Sequence, residues 1–258
     1  MTNQMAHRMP PNMGAVIGAH TRIAFKEMIR NSGSLFGNFF MPILFLLFYV
    51  VPSDTGPETK EATTGFILQI VSLVAFSCTL FTVAIVTAMD KKDGYSEYLH
   101  PLPINRFPRL IAHALTVIAQ VLVGGVAMVS IGIALTSMEF SWHLVGLIPA
   151  VLWTVLMWAL MGGILGLIFQ IRTVSSILQV LYFILAVAGG MYVPPDALQG
   201  YADLFSRLTP SRASRDLIVY SGFGYFEWSA AIYIGVWILI LLGAFAVVAG
   251  RIRKPGRG

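Results

Sequence analysis

The sequence predicts an all-α, polytopic membrane protein. Hydrophobic residues make up 57% of its 258 positions and charged residues only 11%, whereas charged residues are roughly 25% of an ordinary soluble domain. The apolar residues fall into six runs long enough to cross a bilayer, and the chain has room for about six spans of ~20 residues plus loops. The predicted transmembrane helices are residues 35–51, 63–89, 107–135, 144–169, 174–191 and 230–250.

A basic amphipathic segment precedes the first span. Residues 14–32 suit a helix with Arg22, Lys26 and Arg30 on one ridge and apolar residues roughly opposite. This pattern is typical of a helix that lies in the membrane interface; the alternative is a soluble helix packed on a cytosolic partner. We therefore divide the chain into a cytoplasmic arm with an interfacial connecting helix (1–34), a six-span domain (35–250) and a basic cytoplasmic tail (251–258).

The distribution of basic residues predicts the orientation. Thirteen of the 17 lysine and arginine residues fall in the arm, in the loops after spans 2 and 4, and in the tail, which lie on one side of a six-span layout. The other four are Lys60, Arg207, Arg212 and Arg215. The positive-inside rule then places both termini in the cytoplasm. The net charge of +5 is therefore a topology signal, and we expect no nucleic-acid partner.

The spans carry little reactive chemistry. No Asp, Glu, Lys or Arg lies deep within a predicted span, where each would cost about 2.5 to 3.5 kcal/mol on insertion scales. An ion-coupled transporter is expected to carry a carboxylate near the midplane or broken helices in repeated halves. An intramembrane enzyme needs a metal-binding or Ser/His set. Neither pattern is visible, which argues against both classes; the ion-coupled transporter is kept as the alternative.

No phosphate-binding loop is present either. The sequence has no Gly-x-x-x-x-Gly-Lys-Ser/Thr pattern and no Gly-Lys dipeptide. If ATP drives this protein, another polypeptide is expected to bind it. We accordingly predict no catalytic residue, no metal site and no cofactor in this chain.

Small residues within the spans are predicted to serve packing. Gly162, Gly163 and Gly166 have the spacing of small residues at helix interfaces, as do Gly124 and Gly125. The single cysteine, Cys78, excludes an intrachain disulfide and is predicted to be a small core residue.

The loop after span 2 has a local helix pattern of its own. Within residues 90–108, Asp93 can cap a helix of about two turns that a following proline ends. Tyr95, Tyr98 and Leu99 then fall at i, i+3 and i+4, which gives one apolar face outside the membrane. Such a face predicts a docking partner; the alternative is a solvated turn whose aromatic rings rest on lipid headgroups.

The segment between spans 5 and 6 is too long for a simple connector. Prolines divide residues 192–229 into two predicted short helices, amphipathic or re-entrant, at 197–208 and 211–220. Three arginines in this segment oppose the positive-inside trend. They suggest either local ion pairing or a site for lipid phosphates or an anionic substrate, and they are Arg207, Arg212 and Arg215.

Both loops resemble those of ABC-2 type permeases. In that family the loop after span 2 reads Glu-Arg-Glu-x-Gly-Thr-Leu-Glu, followed by Leu, Pro, Val and Arg. The matching positions here are Asp90, Lys91, Gly94, Glu97, Leu99, Pro103, Ile104 and Arg106, whereas Lys92, Tyr95 and His100 depart from the pattern. The family's later loop has glycine, an aromatic and proline, then leucines, Asn-Pro and an Asp-x-x-Arg-like turn. The matching positions are Gly189, Gly190, Tyr192, Pro194, Leu198, Leu204, Leu208, Pro210, Arg215 and Asp216, with Thr209 where Asn is usual.

The resemblance covers nearly the whole chain and implies an ATP-driven exporter in a bacterial cytoplasmic membrane. It implies two such six-span permeases, identical or homologous, and two ABC ATPase subunits that bind the ATP and Mg²⁺. The loop after span 2 would be the coupling helix that docks on the ATPase. Its predicted coupling residues are Asp93, Gly94, Tyr95, Glu97, Tyr98 and Leu99.

The same resemblance places the substrate pathway between two permeases, lined by spans 2 and 5. The predicted lining residues are Gln69, Ser72, Phe76, Thr79, Gln179, Tyr182, Phe183 and Ala186. The alternative for each is interhelical hydrogen bonding or plain packing. A weakly polar, aromatic lining favours a drug-like compound or a lipid, and export of a polysaccharide or glycolipid is the alternative.

Overall fold

A computed structural model describes residues 13–30, 32–92, 107–192 and 200–253. Every regular element within these ranges is helical, which confirms the predicted all-α class. The helices are α1 (Met13–Arg30), α2 (Ser32–Phe45), α3 (Lys60–Lys92), α4 (Phe107–Leu135), α5 (Leu147–Ile168), α6 (Ile171–Ala188), α7 (Tyr201–Leu208), α8 (Pro210–Gly222) and α9 (Trp228–Arg253).

Five helical segments of the described chain are long and apolar enough to cross a membrane. They are Lys60–Lys91, Ile111–Leu135, Trp142–Ile168, Ile171–Ala188 and Trp228–Arg251. The first predicted span differs. There α2 continues through a π-helical segment, Leu46–Val50, into a last turn, Val51–Ser53, and its apolar part, Phe39–Ser53, is shorter than the other five. Length and composition therefore support five spans, and the sixth stays a prediction.

Helix α3 lies at the centre of the bundle. Residues 67–80 are buried at every position, as expected of a helix that other helices surround on all sides. In its most apolar stretch 67% of α3 is buried, against 17% for α6 and 17% for α9. Helices α2, α4, α5, α6 and α8 pack on α3, while α9 packs on α5 and α8. Thus α3 is the scaffold, and α6 and α9 each keep a broad exposed face.

Two glycines let α5 approach α3 closely. A Cβ atom on Gly162 would lie 2.9 Å from the carbonyl oxygen of Leu80, and one on Gly166 would lie 2.5 Å from that of Ala84. Real side chains do not tolerate such distances to backbone, so only glycine fits at this crossing. The predicted packing role of Gly162 and Gly166 is confirmed.

At each of the two opposite ends of the bundle, a polar contact joins neighbouring helix ends. At one end Lys91 Nζ donates to the carbonyl of Leu167, 2.9 Å away, joining the last turns of α3 and α5. At the other end Lys60 Nζ lies 2.7 Å from a carboxylate oxygen of Glu139, joining the start of α3 to the segment after α4. The loop after α3 therefore leaves from the end opposite to Glu139.

Candidate functional site

The predicted pathway helices meet in the structure. The ring of Phe76 on α3 lies 5.1 Å from that of Tyr182 on α6, centroid to centroid, and 4.0 Å from that of Trp158 on α5. The hydroxyl of Tyr182 shares a hydrogen bond of 3.1 Å with the hydroxyl of Tyr192. An aromatic cluster thus joins spans 2 and 5 through their side chains.

The structure divides the predicted pathway residues into an interior set and an exposed set. The interior set does not reach the surface of a single chain and comprises Gln69, Ser72, Phe76, Thr79 and Ala186. Gln179 and Phe183 lie on the exposed face of α6, with 63% of Phe183 accessible, and Tyr182 lies half-buried between the two sets. Only α6 therefore offers predicted lining residues at the surface, and the lining role of all eight stays a prediction.

Two hydroxyls of the interior set make no hydrogen bond within the described part of the chain. Ser72 Oγ and Thr79 Oγ1 are buried without a partner among the described residues. An unpaired buried polar group costs about 1 to 3 kcal/mol. They lie at i and i+7 on α3, on either side of Phe76, and so form one face of that helix. This face has hydrogen-bonding capacity that the described chain does not use.

Gln69 connects three elements at one end of this face. Its Nε2 donates to the carbonyl of Met191, 3.0 Å away, just beyond α6. Its Oε1 accepts two hydrogen bonds from the guanidinium of Arg215 on α8, at 3.3 Å from Nε and 3.2 Å from Nη2. The sequence placed Gln69 and Arg215 in separate candidate sites, and the structure brings them into contact.

Helix α8 reaches α3 because it enters the bundle. Thr209 is its N-cap, with Oγ1 accepting from the backbone N–H of Arg212, and Pro210 occupies the first helical position. Ser214, one turn further on, accepts a hydrogen bond of 3.2 Å from the indole N–H of Trp158 on α5. This buried contact holds one face of α8 toward the interior of the bundle. Arg215, the next residue, therefore lies within hydrogen-bonding distance of Gln69.

The three predicted arginines form an arginine–aspartate chain along α7 and α8. Asp216 accepts from Arg212 and from Arg215, each at 2.7 Å, while Asp203 lies 2.8 Å from Arg207 and 3.7 Å from Arg212. Side-chain exposure is 13% for Arg212 and 12% for Arg215 but 67% for Arg207. Local ion pairing is therefore observed, and only Arg207 presents its guanidinium to the surroundings. A role toward lipid phosphates or an anionic substrate stays a prediction.

Sequence reasoning missed Asp54, which joins the ends of three helices. Its carboxylate accepts hydrogen bonds from the backbone N–H and hydroxyl of Ser137, after α4, and from the hydroxyls of Thr59 and Thr63. The pKa of Asp54 is lowered from 3.8 to about 2, because the backbone N–H and then the hydroxyl of Ser137 stabilise the carboxylate. The closely spaced threonines hint at the local part of this cluster; no pattern in the sequence points to Ser137.

The predicted coupling residues, Asp93, Gly94, Tyr95, Glu97, Tyr98 and Leu99, lie outside the described residues. What the structure gives is their point of attachment. The loop begins where α3 ends at Lys92, one residue after the Lys91 contact with α5, and it ends where α4 begins at Phe107.

Comparison with known proteins decides the family. Residues 16–223 match the family model described as ABC-2 type transporter, which is most of the chain and includes the loop after span 2 and most of the segment between spans 5 and 6. The chain belongs to the ABC-2 type transporter family. A protein of Bacillus subtilis (strain 168) named "Putative transport permease YvfS" is 25% identical over 187 residues, covering 67% of this chain and 74% of that protein. This ABC-2 permease is thus a transmembrane transport protein, and five of its described helical segments are long and apolar enough to cross the membrane.

Proposed function

We propose that this ABC-2 permease is the membrane subunit of an ATP-driven exporter. Two such six-span permeases, identical or homologous, would work with two ABC ATPase subunits that bind the ATP and Mg²⁺. The observation that carries the proposal is the family match over residues 16–223, since ABC-2 permeases generally work with ABC ATPases. The uncharged span interiors support it, because ion coupling usually needs a charged group there.

We assign the docking contact to the loop after α3. Tyr95, Tyr98 and Leu99 would insert into a groove on the ATPase, with burial of apolar area supplying ~25 cal/mol per Å². Glu97 would make a polar contact at the rim, and Asp93 and Gly94 would begin the coupling helix. The loop's attachment to α3 supports this assignment.

Helix α3 provides a mechanical link from that loop to the far end of the bundle. It is 33 residues long without a break, which corresponds to roughly 50 Å. Gln69, near the end remote from the loop, contacts Arg215 of α8 and the carbonyl of Met191 after α6. A displacement of α3 by the ATPase would therefore reach α6 and α8 through Gln69.

The substrate that fits best is hydrophobic or amphipathic, either a drug-like compound or a lipid. The exposed face of α6 combines one amide, Gln179, with Phe183 and the aliphatic residues Val180 and Ile184. Such a face binds apolar groups by area and polar groups at few points. Ser72 and Thr79 would add hydrogen bonds if α6 moved aside.

We place the permease in a bacterial cytoplasmic membrane with both termini in the cytoplasm. Thirteen of its 17 basic residues lie on that side in the six-span layout. The arginine–aspartate chain and Asp54 would then face the exterior, which fits an exit rather than an ATPase-binding surface.

Changing Tyr95 and Leu99 together to alanine tests the proposal. Span hydrophobicity is untouched, so the chain should insert normally, yet the ATPase should dissociate or lose its response to substrate. The measurements are co-purification of the two subunits and substrate-stimulated ATPase activity in reconstituted membranes. A matched control changes Phe140 and Trp142 to alanine, since both are exposed aromatics at the opposite end of the bundle. Normal co-purification and stimulation in the Tyr95/Leu99 variant would contradict the coupling role.

A further inference from the structure

An open groove of about 700 Å³ runs between α1 and α4. It lies outside the transport pathway and the arginine–aspartate chain. Its lining includes Gly14, Gly18, Arg22, Phe25 and Lys26 of α1 and Leu115 of α4.

The shape of the groove follows from one face of α1. Gly14, Gly18, Arg22 and Lys26 recur every four residues and so lie along one side of the helix. The two glycines leave the floor open, and a Cβ atom built on Gly18 meets nothing within 4 Å. The first half of this face is thus a trough, and the second half carries two positive charges.

The two cations are available to a ligand. Arg22 and Lys26 are exposed, and neither makes a hydrogen bond or ion pair with another residue of the described chain. Phe25, between them in sequence, is 39% exposed, and Leu115 across the groove is 45% exposed. A basic pair therefore stands beside uncovered apolar surface.

The groove lies at the end of the bundle where a lipid headgroup would be found. Leu115 is in the third turn of α4, close to the loop after α3, which is on the predicted cytoplasmic side. The ligand that matches has a negatively charged head and an apolar tail, and at this depth it is a membrane lipid.

We propose that this groove is a binding site for one anionic phospholipid of the cytoplasmic leaflet. Its phosphate would accept hydrogen bonds from Arg22 and Lys26. One acyl chain would lie over Gly18, between Phe25 and Leu115. The lipid would add to the direct packing of α1 on α4. The site differs from diffuse attraction of a basic helix to a charged surface because it binds one molecule.

Native mass spectrometry of the full-length permease tests the proposal, with phosphatidylglycerol and phosphatidylcholine of equal chain length as probes. The wild type should retain one phosphatidylglycerol with a preference of roughly tenfold or more over phosphatidylcholine. R22Q/K26Q should lose that preference. R172Q, which neutralises an exposed arginine at the start of α6, is the matched control and should keep it.

A second variant tests the groove separately from its charge. G18L fills the trough and keeps both cations, so it should lose the retained lipid while still migrating as a folded protein in size-exclusion chromatography. A photoreactive residue at position 115 should cross-link to lipid. Equal retention of both lipids by the wild type, wild-type binding by R22Q/K26Q or G18L, or cross-linking of position 115 to an ATPase subunit instead of lipid would each overturn the proposal.

Discussion

The guanidinium of Arg215 lies 3.2 Å from the amide oxygen of Gln69, although the two residues are 146 positions apart. Gln69 is buried on α3, toward the end remote from the loop, and the Arg215 side chain is only 12% exposed. Helix α8 therefore cannot move away from α3 without leaving a buried acceptor and a charged donor short of partners.

The first prediction concerns this contact. Gln69→Leu roughly keeps the side-chain size, but Arg215 loses its Gln69 acceptor and keeps, among the described residues, only its contact with Asp216, and the carbonyl of Met191 loses its donor. We expect a loss of about 1.5 to 3 kcal/mol in the free energy of unfolding, with faster amide hydrogen exchange across residues 210–222. Arg207→Gln, which breaks an exposed ion pair, should cost about 0 to 1 kcal/mol. Equal protection of α8 in the wild type and the Gln69 variant would show that the contact does not hold this helix.

The second prediction concerns Asp54. Its pKa is lowered from 3.8 to about 2 in the folded state, so its stabilising effect is complete above the unfolded-state value and is lost as pH falls toward 2. The difference in Tm between the wild type and Asp54→Asn should be largest above pH 3.8 and should shrink below it. Glu58→Gln changes an exposed carboxylate of the same loop and is the matched control. A difference that does not change with pH would be inconsistent with a stabilised carboxylate.

The third prediction concerns the crossing of α5 and α3. Gly166→Ala places a methyl group 2.5 Å from the carbonyl oxygen of Ala84, so the helices must separate; we expect a cost of about 1 to 3 kcal/mol. Gly243→Ala on α9 is the control, because a Cβ atom there meets nothing within 4 Å. That control should be neutral, or stabilising by about 0.5 to 1 kcal/mol through helix propensity. Thermal unfolding in detergent compares the two, and equal values would argue against a close approach at Gly166.

The fourth prediction concerns topology. The basic-residue distribution places Asp54 and Asp203 outside the cytoplasm and Asp93 within it. Asp54 and Asp203 accept hydrogen bonds that hold their segments together, so reporter cysteines are better placed at the neighbouring exposed positions Glu58 and Tyr201.

In a chain whose Cys78 is replaced, an impermeant maleimide added to intact cells should label cysteines at positions 58 and 201 and leave one at position 93 unlabelled until the cells are opened. Labelling at position 93 in intact cells would reject the six-span layout.

The helices could be predicted from the sequence because their signal is local. An apolar run marks each long helix, and the observed bounds of α4, Phe107–Leu135, coincide with the predicted third span. The central position of α3 could not be predicted in this way. The most apolar stretch of α3 has a mean hydropathy of 2.3 and that of α9 has 2.6, yet 67% of the α3 stretch and 17% of the α9 stretch are buried. A high mean hydropathy shows that a helix suits apolar surroundings. It does not show whether protein or lipid supplies those surroundings.

The residues of the candidate site were predicted as separate sets, because the sequence signals that identify them are also local. Polar periodicity on α3 drew attention to Gln69, and charge against the topology trend drew attention to Arg215. The hydrogen bond between them depends on how deeply α8 enters the bundle, through contacts such as that of Ser214 with Trp158. Such contacts between distant segments produce no periodic pattern in the sequence.

The burial of Cys78 makes the wild-type chain a reporter of its own integrity. Cys78 carries the only thiol of the sequence, and it is fully buried. It lies on α3, on which α2, α4, α5, α6 and α8 pack. A water-soluble alkylating reagent can reach this sulfur only after the bundle has opened around α3. On heating or in denaturant, the rate at which the native protein acquires one label therefore measures how often the helices around α3 separate. No engineered probe is needed.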